Sequence, residues 1–242
     1  MAKIEFYPLD FDYDNSGNAL IYGKTTKNER ILIKDNSVKP YFYVLNNVSK
    51  TKEIENIMIK DNDRIYKVSK TEIVNKKYYD KSIRAVKVYV ENNNEIDHIK
   101  EKLKSFELAE TDIKFIKRYL TEKKVDPLVL SEVDGEIIED INEGILVKGE
   151  VKQKDSEFLK NPRILAFDIE VYGDFSGYQK HKQDPIIMIS FKGDEFSKVV
   201  TWKNVKAPYV ELVKNEKELL ERFVEIINEY KPDYITGYFT EG

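Results

Sequence analysis

The stretch PRILAFDIEVYGDFSG, residues 162–177, sets two acids, Asp168 and Glu170, into a run otherwise as apolar as a buried strand. Successive strand residues point to opposite faces, so the two carboxylates project side by side, and Phe167 and Ile169 are predicted to point the other way into a core. Carboxylates that close repel each other, and burying unpaired charge is costly. The pair therefore calls for a cation between its members, unless it marks a strand end whose acids simply face solvent. An Asp-x-Glu pair alone is common; the apolar strand before it and the glycine-containing loop after it give this one weight. No cysteine and only two histidines occur in the chain. Oxygen ligands in that setting suit Mg²⁺ or Mn²⁺ better than zinc, and two such ions can activate a water and stabilise a leaving oxygen in phosphodiester hydrolysis.

Outward from this segment the order of elements is clear. PIIMISFKG (185–193) and KVVTWK (198–203) read as strands, and NEKELLERFVEIINEY (215–230) as a helix with Asn215 as its N-cap. Leu219, Leu220, Phe223, Ile226, Ile227 and Tyr230 form its apolar stripe. Pro232 ends it, and DYITGY (233–238) is a further strand predicted to lie parallel beside the first.

Upstream, KIEFYPLDFDYD, NALIYGKT, RILIKD and PYFYVL predict a small β meander or barrel over the first 45 residues or so. Helix and strand then alternate through SKTKEIENIMIK, RIYKVSKTEIV, IRAVKVYV, NEIDHIKEKLKSF and ETDIKFIKRYLTEKK. Residues 125–160 turn acidic and hold one predicted strand. They are read as a connector, with a junction near residue 155 that divides the chain into domains of 1–155 and 156–242.

With 242 residues, 41% of them hydrophobic, the chain can give each of two domains a core. A net charge of −4 argues against a uniformly basic nucleic-acid coat but allows local patches. NKKYYDKSIRAVKVY (75–89) is one: Lys76, Lys77, Lys81, Arg84 and Lys87 stand against Asp80 alone, with Tyr78, Tyr79 and Tyr89 among them. Such a mixture either follows a phosphate backbone while stacking on bases, or is a solvated strand face with half-buried tyrosines. No stretch approaches a membrane span, and the absence of cysteine suits an intracellular, cytoplasmic protein. His98 and His181 lack partners at ligand spacing and read as surface residues. Trp202 reads as a core or edge aromatic.

ILAFDIE, DPIIMISF, VVTWK and PYVELVKNEKELLERFVEIINEYKPDYITGY together resemble the first part of the 3′-5′ proofreading exonuclease domain of archaeal family B DNA polymerases. LDFDYD, KPYFYVL, AVKVYV and DIKFIKRYL extend the resemblance, in order, through the N-terminal domain. It implies a mixed α+β chain: a β-rich N-terminal domain with helices, then an incomplete RNase H-like exonuclease domain with a mixed sheet. It also implies that Asp168 and Glu170 are catalytic metal ligands for Mg²⁺ or Mn²⁺. The family's pocket for template uracil would fall on Tyr13, Pro40, Tyr41, Ile96, Ile113, Phe115 and Arg118, with Arg118 holding a phosphate. Implied partners are single-stranded template DNA, the remaining polymerase polypeptide and, through residues outside this sequence, a sliding clamp. The family's second motif has an asparagine after the tyrosine of the ITGY strand, where this chain has Phe239, and its aspartate would follow Gly242. The chain alone is therefore expected to be inactive as a nuclease or polymerase. The competing expectation is a non-catalytic module for single-stranded or uracil-containing DNA, or one subunit of a split polymerase.

Overall fold

The structure, a computed structural model, describes residues 2–61, 64–141, 144–173 and 184–238. His181, Phe239 and Gly242 lie outside the described residues. The chain divides into two compact units, residues 1–159 and 160–242.

In the first unit, strands β1 (Ala2–Tyr13), β2 (Ala19–Thr25) and β3 (Arg30–Asp35) are joined by β10 (Val129–Ile141) and β11 (Gly144–Phe158) into a closed barrel of order β1-β10-β11-β3-β2. The expected connector at 125–160 is thus the barrel's longest hairpin. Its acids misled because they alternate: Val129, Ser131 and Val133 are buried, while Glu132, Asp134 and Glu136 face outward. Gly135 and Gly149 face each other across β10 and β11. A Cβ on Gly135 would meet the Lys148 carbonyl oxygen at 2.4 Å, so the approach of these strands requires glycine. Phe6, Ile21, Ile31, Ile33, Val133, Val147 and Val151 fill the barrel with Phe115 and Tyr119 from helix α3 (Phe115–Lys123).

Residues 41–109 lie between the barrel's halves in sequence and make their own layer. Strand β4 (Tyr41–Leu45), expected in the meander, instead starts a four-stranded sheet of order β7-β8-β4-β9, with β7 (Lys70–Tyr78), β8 (Lys81–Tyr89) and β9 (Leu108–Ala109). Every residue of β4 is buried, which requires cover on both faces. Phe42, Val44, Val86 and Val88 pack one face against helices α1 (Thr51–Glu55) and α2 (Glu95–Lys102), through Ile54, Ile96 and Ile99. Tyr41, Tyr43, Tyr89 and Lys87 occupy the other. A small hairpin of β5 (Met58–Asp61) and β6 (Arg64–Lys67) replaces the second half of the helix expected over 49–60.

The second unit is a five-stranded mixed sheet of order β15-β14-β13-β12-β16, from β12 (Ile164–Val171), β13 (Ile186–Gly193), β14 (Phe196–Thr201), β15 (Val210–Leu212) and β16 (Tyr234–Gly237), with helix α4 (Glu216–Tyr230) on one face. Asn215 is the N-cap as expected: its side-chain oxygen accepts the Glu218 amide at 3.0 Å. β16 pairs parallel to β12, also as expected. Trp202 is partly buried against this core and donates its indole N–H to the Ile186 carbonyl at 2.8 Å. Among the described residues no helix is long and apolar enough to cross a membrane.

Candidate functional site

Asp168 and Glu170 occupy alternate positions of β12, both exposed. Leu165 and Phe167 point beneath α4, where Phe167 meets Phe223 edge-on with centroids 5.2 Å apart. Ile169 departs from expectation: it lies outside the cluster that α4 covers and is 44% exposed. The strand outruns its helix, and the acids sit at that uncovered end. Immediately after Glu170 the register with β13 shifts, so Glu170 faces Met188 and Val171 faces Ile186. A bulge there re-aims the chain where the acids stand.

Asp168 also lines an open cavity of 690 Å³ on the sheet face away from α4, with Ala166, Ser190, Lys192, Thr236 and Tyr238. Among the described residues, no three histidine, cysteine or acidic side chains are placed to hold a metal ion together. Asp168 and Glu170 put two carboxylates on an accessible strand end, and carboxylate oxygens are of the hard kind that divalent magnesium or manganese accepts.

The second constellation is built by α3 in the first unit. One side of the helix sends Phe115 and Tyr119 into the barrel; the adjoining stripe carries Arg118 and Glu122, four residues apart, to the tyrosine face of the four-stranded sheet. The Arg118 guanidinium lies 3.7 Å from the centroid of Tyr41 and is 4% exposed. Its Nη1 donates to Glu110 Oε2 at 3.0 Å and its Nη2 to the Glu110 carbonyl at 2.9 Å. Glu110 Oε1 in turn accepts from Lys76 Nζ at 2.8 Å. The Tyr41 hydroxyl donates to Glu122, which also faces Lys87 at 3.6 Å, and Lys87 stands 3.6 Å above the Tyr41 ring. Lys76 covers Tyr43 in the same manner at 4.0 Å, and Tyr89 donates to Glu72 at 2.8 Å.

Burial, then the hydrogen bond to Glu122, pushes the Tyr41 hydroxyl pKa well above the ordinary phenol value. Burial works against ionisation of Glu110. The hydrogen bonds and charges of Lys76 and Arg118 outweigh it and hold the carboxyl below the usual range, so Glu110 is an anion at neutral pH.

Of the seven residues expected to form a base pocket, four form two contacting pairs that share helix α3. Tyr13, 39% exposed at the end of β1, meets Phe115 edge-on at 5.9 Å; Phe115 begins the helix that carries Arg118; and Arg118 stacks on Tyr41. Pro40 is buried beside Tyr41, its carbonyl accepting from the Val90 amide at 3.0 Å. Ile113 is half-buried just before α3. Ile96 lies in the core on the opposite face of the sheet from Tyr41.

Gly17, in the turn after Tyr13, has φ +77° and sits so close to Glu91 that a Cβ would meet that carbonyl oxygen at 2.4 Å. This contact holds the Tyr13 turn against the segment leading into α2.

Glu110, Glu122, Glu72 and Lys76 join the site without having been singled out as site residues. Only the basic, tyrosine-rich segment 75–89 pointed toward them, because Glu72 and Lys76 meet their partners in the folded sheet and Glu110 and Glu122 reach Arg118 and Tyr41 through the packing of α3. The basic segment itself divides between two faces. Lys76, Lys87 and Tyr89 enter the cluster, and Lys77 and Arg84 lie exposed on the other side. His98 is stacked on Tyr66 at 3.9 Å.

Residues 106–241, more than half of the chain, match the family described as DNA polymerase family B, exonuclease domain. The chain belongs to DNA polymerase family B. It is 31% identical over 237 residues to the DNA polymerase of Pyrococcus glycovorans, which covers 95% of this chain and 27% of that protein. DNA polymerase 1 of Pyrococcus abyssi is 30% identical over the same length, again with 95% and 27% covered. This family B chain therefore spans about a quarter of the length of these relatives. The structure of the family B DNA polymerase from Pyrobaculum calidifontis shares its fold with a TM-score of 0.78 at 22% identity, covering 99% of this chain and 31% of that one.

Proposed function

We propose that this chain is the N-terminal portion of a replicative family B DNA polymerase that binds single-stranded template, senses uracil in it and contributes part of a two-metal 3′-5′ exonuclease site. The observation that carries the template reading is the contact series Tyr13–Phe115 and Arg118–Tyr41, which puts aromatic surface and a guanidinium on one helix beside a tyrosine-rich sheet. Aromatic and aliphatic walls suit a flat base, a guanidinium suits a phosphate, and a pocket too tight for one methyl group would accept uracil and refuse thymine. One methyl group is worth about tenfold in such a pocket. Fluorescence anisotropy with labelled single strands that differ only in one uracil or thymine should show a preference for uracil of that size, removed by Tyr41→Ala. Equal weak binding of both strands by the wild-type chain would refute the pocket.

For the exonuclease part, Asp168 and Glu170 would hold a divalent ion, and one of them would orient the attacking water. When bound, the ion would activate that water and neutralise charge on the scissile phosphate. Because the two carboxylates are only part of a donor set, the purified chain is expected to bind Mn²⁺ weakly and to degrade no DNA. Water-proton relaxation should detect Mn²⁺ binding that Asp168→Ala abolishes. Robust Mg²⁺-dependent degradation of single-stranded DNA by the chain alone, lost in the same variant, would show that the site is already whole.

A second reading, a DNA-binding subunit that docks with a separate polypeptide carrying the remaining motifs, is favoured by the open sheet face opposite α4. There Tyr238 is 91% exposed beside the Asp168 cavity.

A further inference from the structure

We infer that Glu110 is an internal stand-in for a template phosphate at Arg118, handed over to Lys76 when a strand binds. This rests on the reading of α3 and Tyr41 as the strand-binding face, and it adds a residue that controls access to that face.

The cations of the cluster are all committed to carboxylates: Arg118 and Lys76 to Glu110, Lys87 to Glu122, and Lys70 to Glu72 at 2.5 Å. A phosphate arriving at Arg118 meets a guanidinium whose face is covered by Tyr41 and whose two terminal nitrogens already donate to Glu110. Phosphate oxygens accept from guanidinium N–H groups as the carboxylate does here from Nη1, so the Glu110 carboxylate occupies a position a phosphate oxygen would take.

Two features make the exchange feasible. Glu110 shares its carboxylate, one oxygen on Arg118 and the other on Lys76, so on leaving Arg118 it keeps an ionic partner instead of becoming an orphaned anion. The Glu110 carbonyl continues to hold Nη2, so the guanidinium stays in place while its other nitrogen is freed.

The backbone supplies an independent sign that the side chain matters. Glu110 has φ +60°, a left-handed conformation that favours glycine or asparagine and is strained for a longer residue. It places both the carbonyl and the carboxylate of one residue on Arg118.

An anion that must be displaced sets a threshold. A strand that offers several phosphates and a base can displace it, and an isolated anion competes poorly. The stand-in lowers affinity for every strand and leaves the choice between uracil and thymine to the aromatic walls.

The test titrates labelled uracil- and thymine-containing single strands against the full chain, Glu110→Gln, Glu110→Gly, Arg118→Ala and the double variant Glu110→Gln/Arg118→Ala. Glycine fits the left-handed backbone, so the second variant keeps the measurement possible if glutamine disturbs folding. Both Glu110 variants are expected to bind both strands about fivefold more tightly, in the range of a competing ion pair. The double variant should bind no more tightly than Arg118→Ala.

If Arg118→Ala weakens binding but neither Glu110 variant strengthens it, Glu110 merely props the guanidinium and the stand-in is refuted. A gain that persists without Arg118 also refutes it, by assigning the effect to overall charge. If wild type and Arg118→Ala bind equally, the strand-binding reading of this face fails, and the stand-in with it.

Discussion

Replacing Asp35 with alanine is expected to cost the 1–159 unit about 3–5 kcal/mol, because the side chain is a buried carboxyl on which three segments converge. Asp35 ends β3 and is 1% exposed. Its Oδ2 accepts the Tyr119 hydroxyl of α3 at 2.7 Å and the Val151 amide of β11 at 2.9 Å. Its Oδ1 accepts the Ser37 amide at 2.8 Å, and Lys123 stands 3.9 Å away. Alanine leaves a buried hydroxyl and a buried amide without partners, and each such loss costs about 1–3 kcal/mol. Urea unfolding followed by circular dichroism measures the loss. Tyr119→Phe removes one of these bonds and leaves the carboxylate two amide donors, so its cost should be near 1 kcal/mol. Equal losses from the two variants would mean that the carboxylate serves Tyr119 alone.

Leu165→Ala is expected to cost the 160–242 unit about 3–4 kcal/mol, the range found for a buried leucine whose surroundings cannot collapse into the gap. Leu165 is fully buried on β12 among Ile189, Val200, Leu219 and Ile226, clamped between β13, β16 and α4. Ile169→Ala, four residues along the same face but beyond the helix, should change stability by less than about 1 kcal/mol. Amide hydrogen exchange along β12 and β13 separates the two. Protection should fall throughout both strands for Leu165→Ala and hardly at all for Ile169→Ala. A comparable loss at Ile169 would mean that the uncovered end of the strand is packed in solution.

The second unit was the more legible part of the sequence. Its first three strands, its helix and its last strand each carry a local signal, and Asn215 and Pro232 mark the helix ends; only β15, three residues long, falls in what reads as a connecting stretch. The order of strands, helix and parallel strand follows from these alone.

The first unit resisted because its sheets are assembled from distant pieces. Nothing near Tyr41 says that its strand leaves the meander for a second sheet. The acids of 132–136 hide a strand because charge on the outer face of a barrel resembles charge in a linker. The site shows the same limit. Asp168 and Glu170 are readable because they share one strand. Glu110 and Lys76 are 34 residues apart and meet only in the folded sheet, and Arg118 reaches Glu110 only through the packing of α3.

The barrel closes with β10 on β1 and β11 on β3, although β3 ends at Asp35 and β10 starts at Val129. During synthesis the opening three-stranded piece must therefore wait for roughly a hundred further residues before its two open rims are sealed, about 5–20 s at usual elongation rates. Over that interval the rims of β1 and β3 can recruit neighbouring nascent chains, and the 41–109 layer can complete its own hydrogen bonding. Slowed translation between codons 36 and 128 should therefore reduce the soluble yield of this protein, whereas slowing after codon 160 should not.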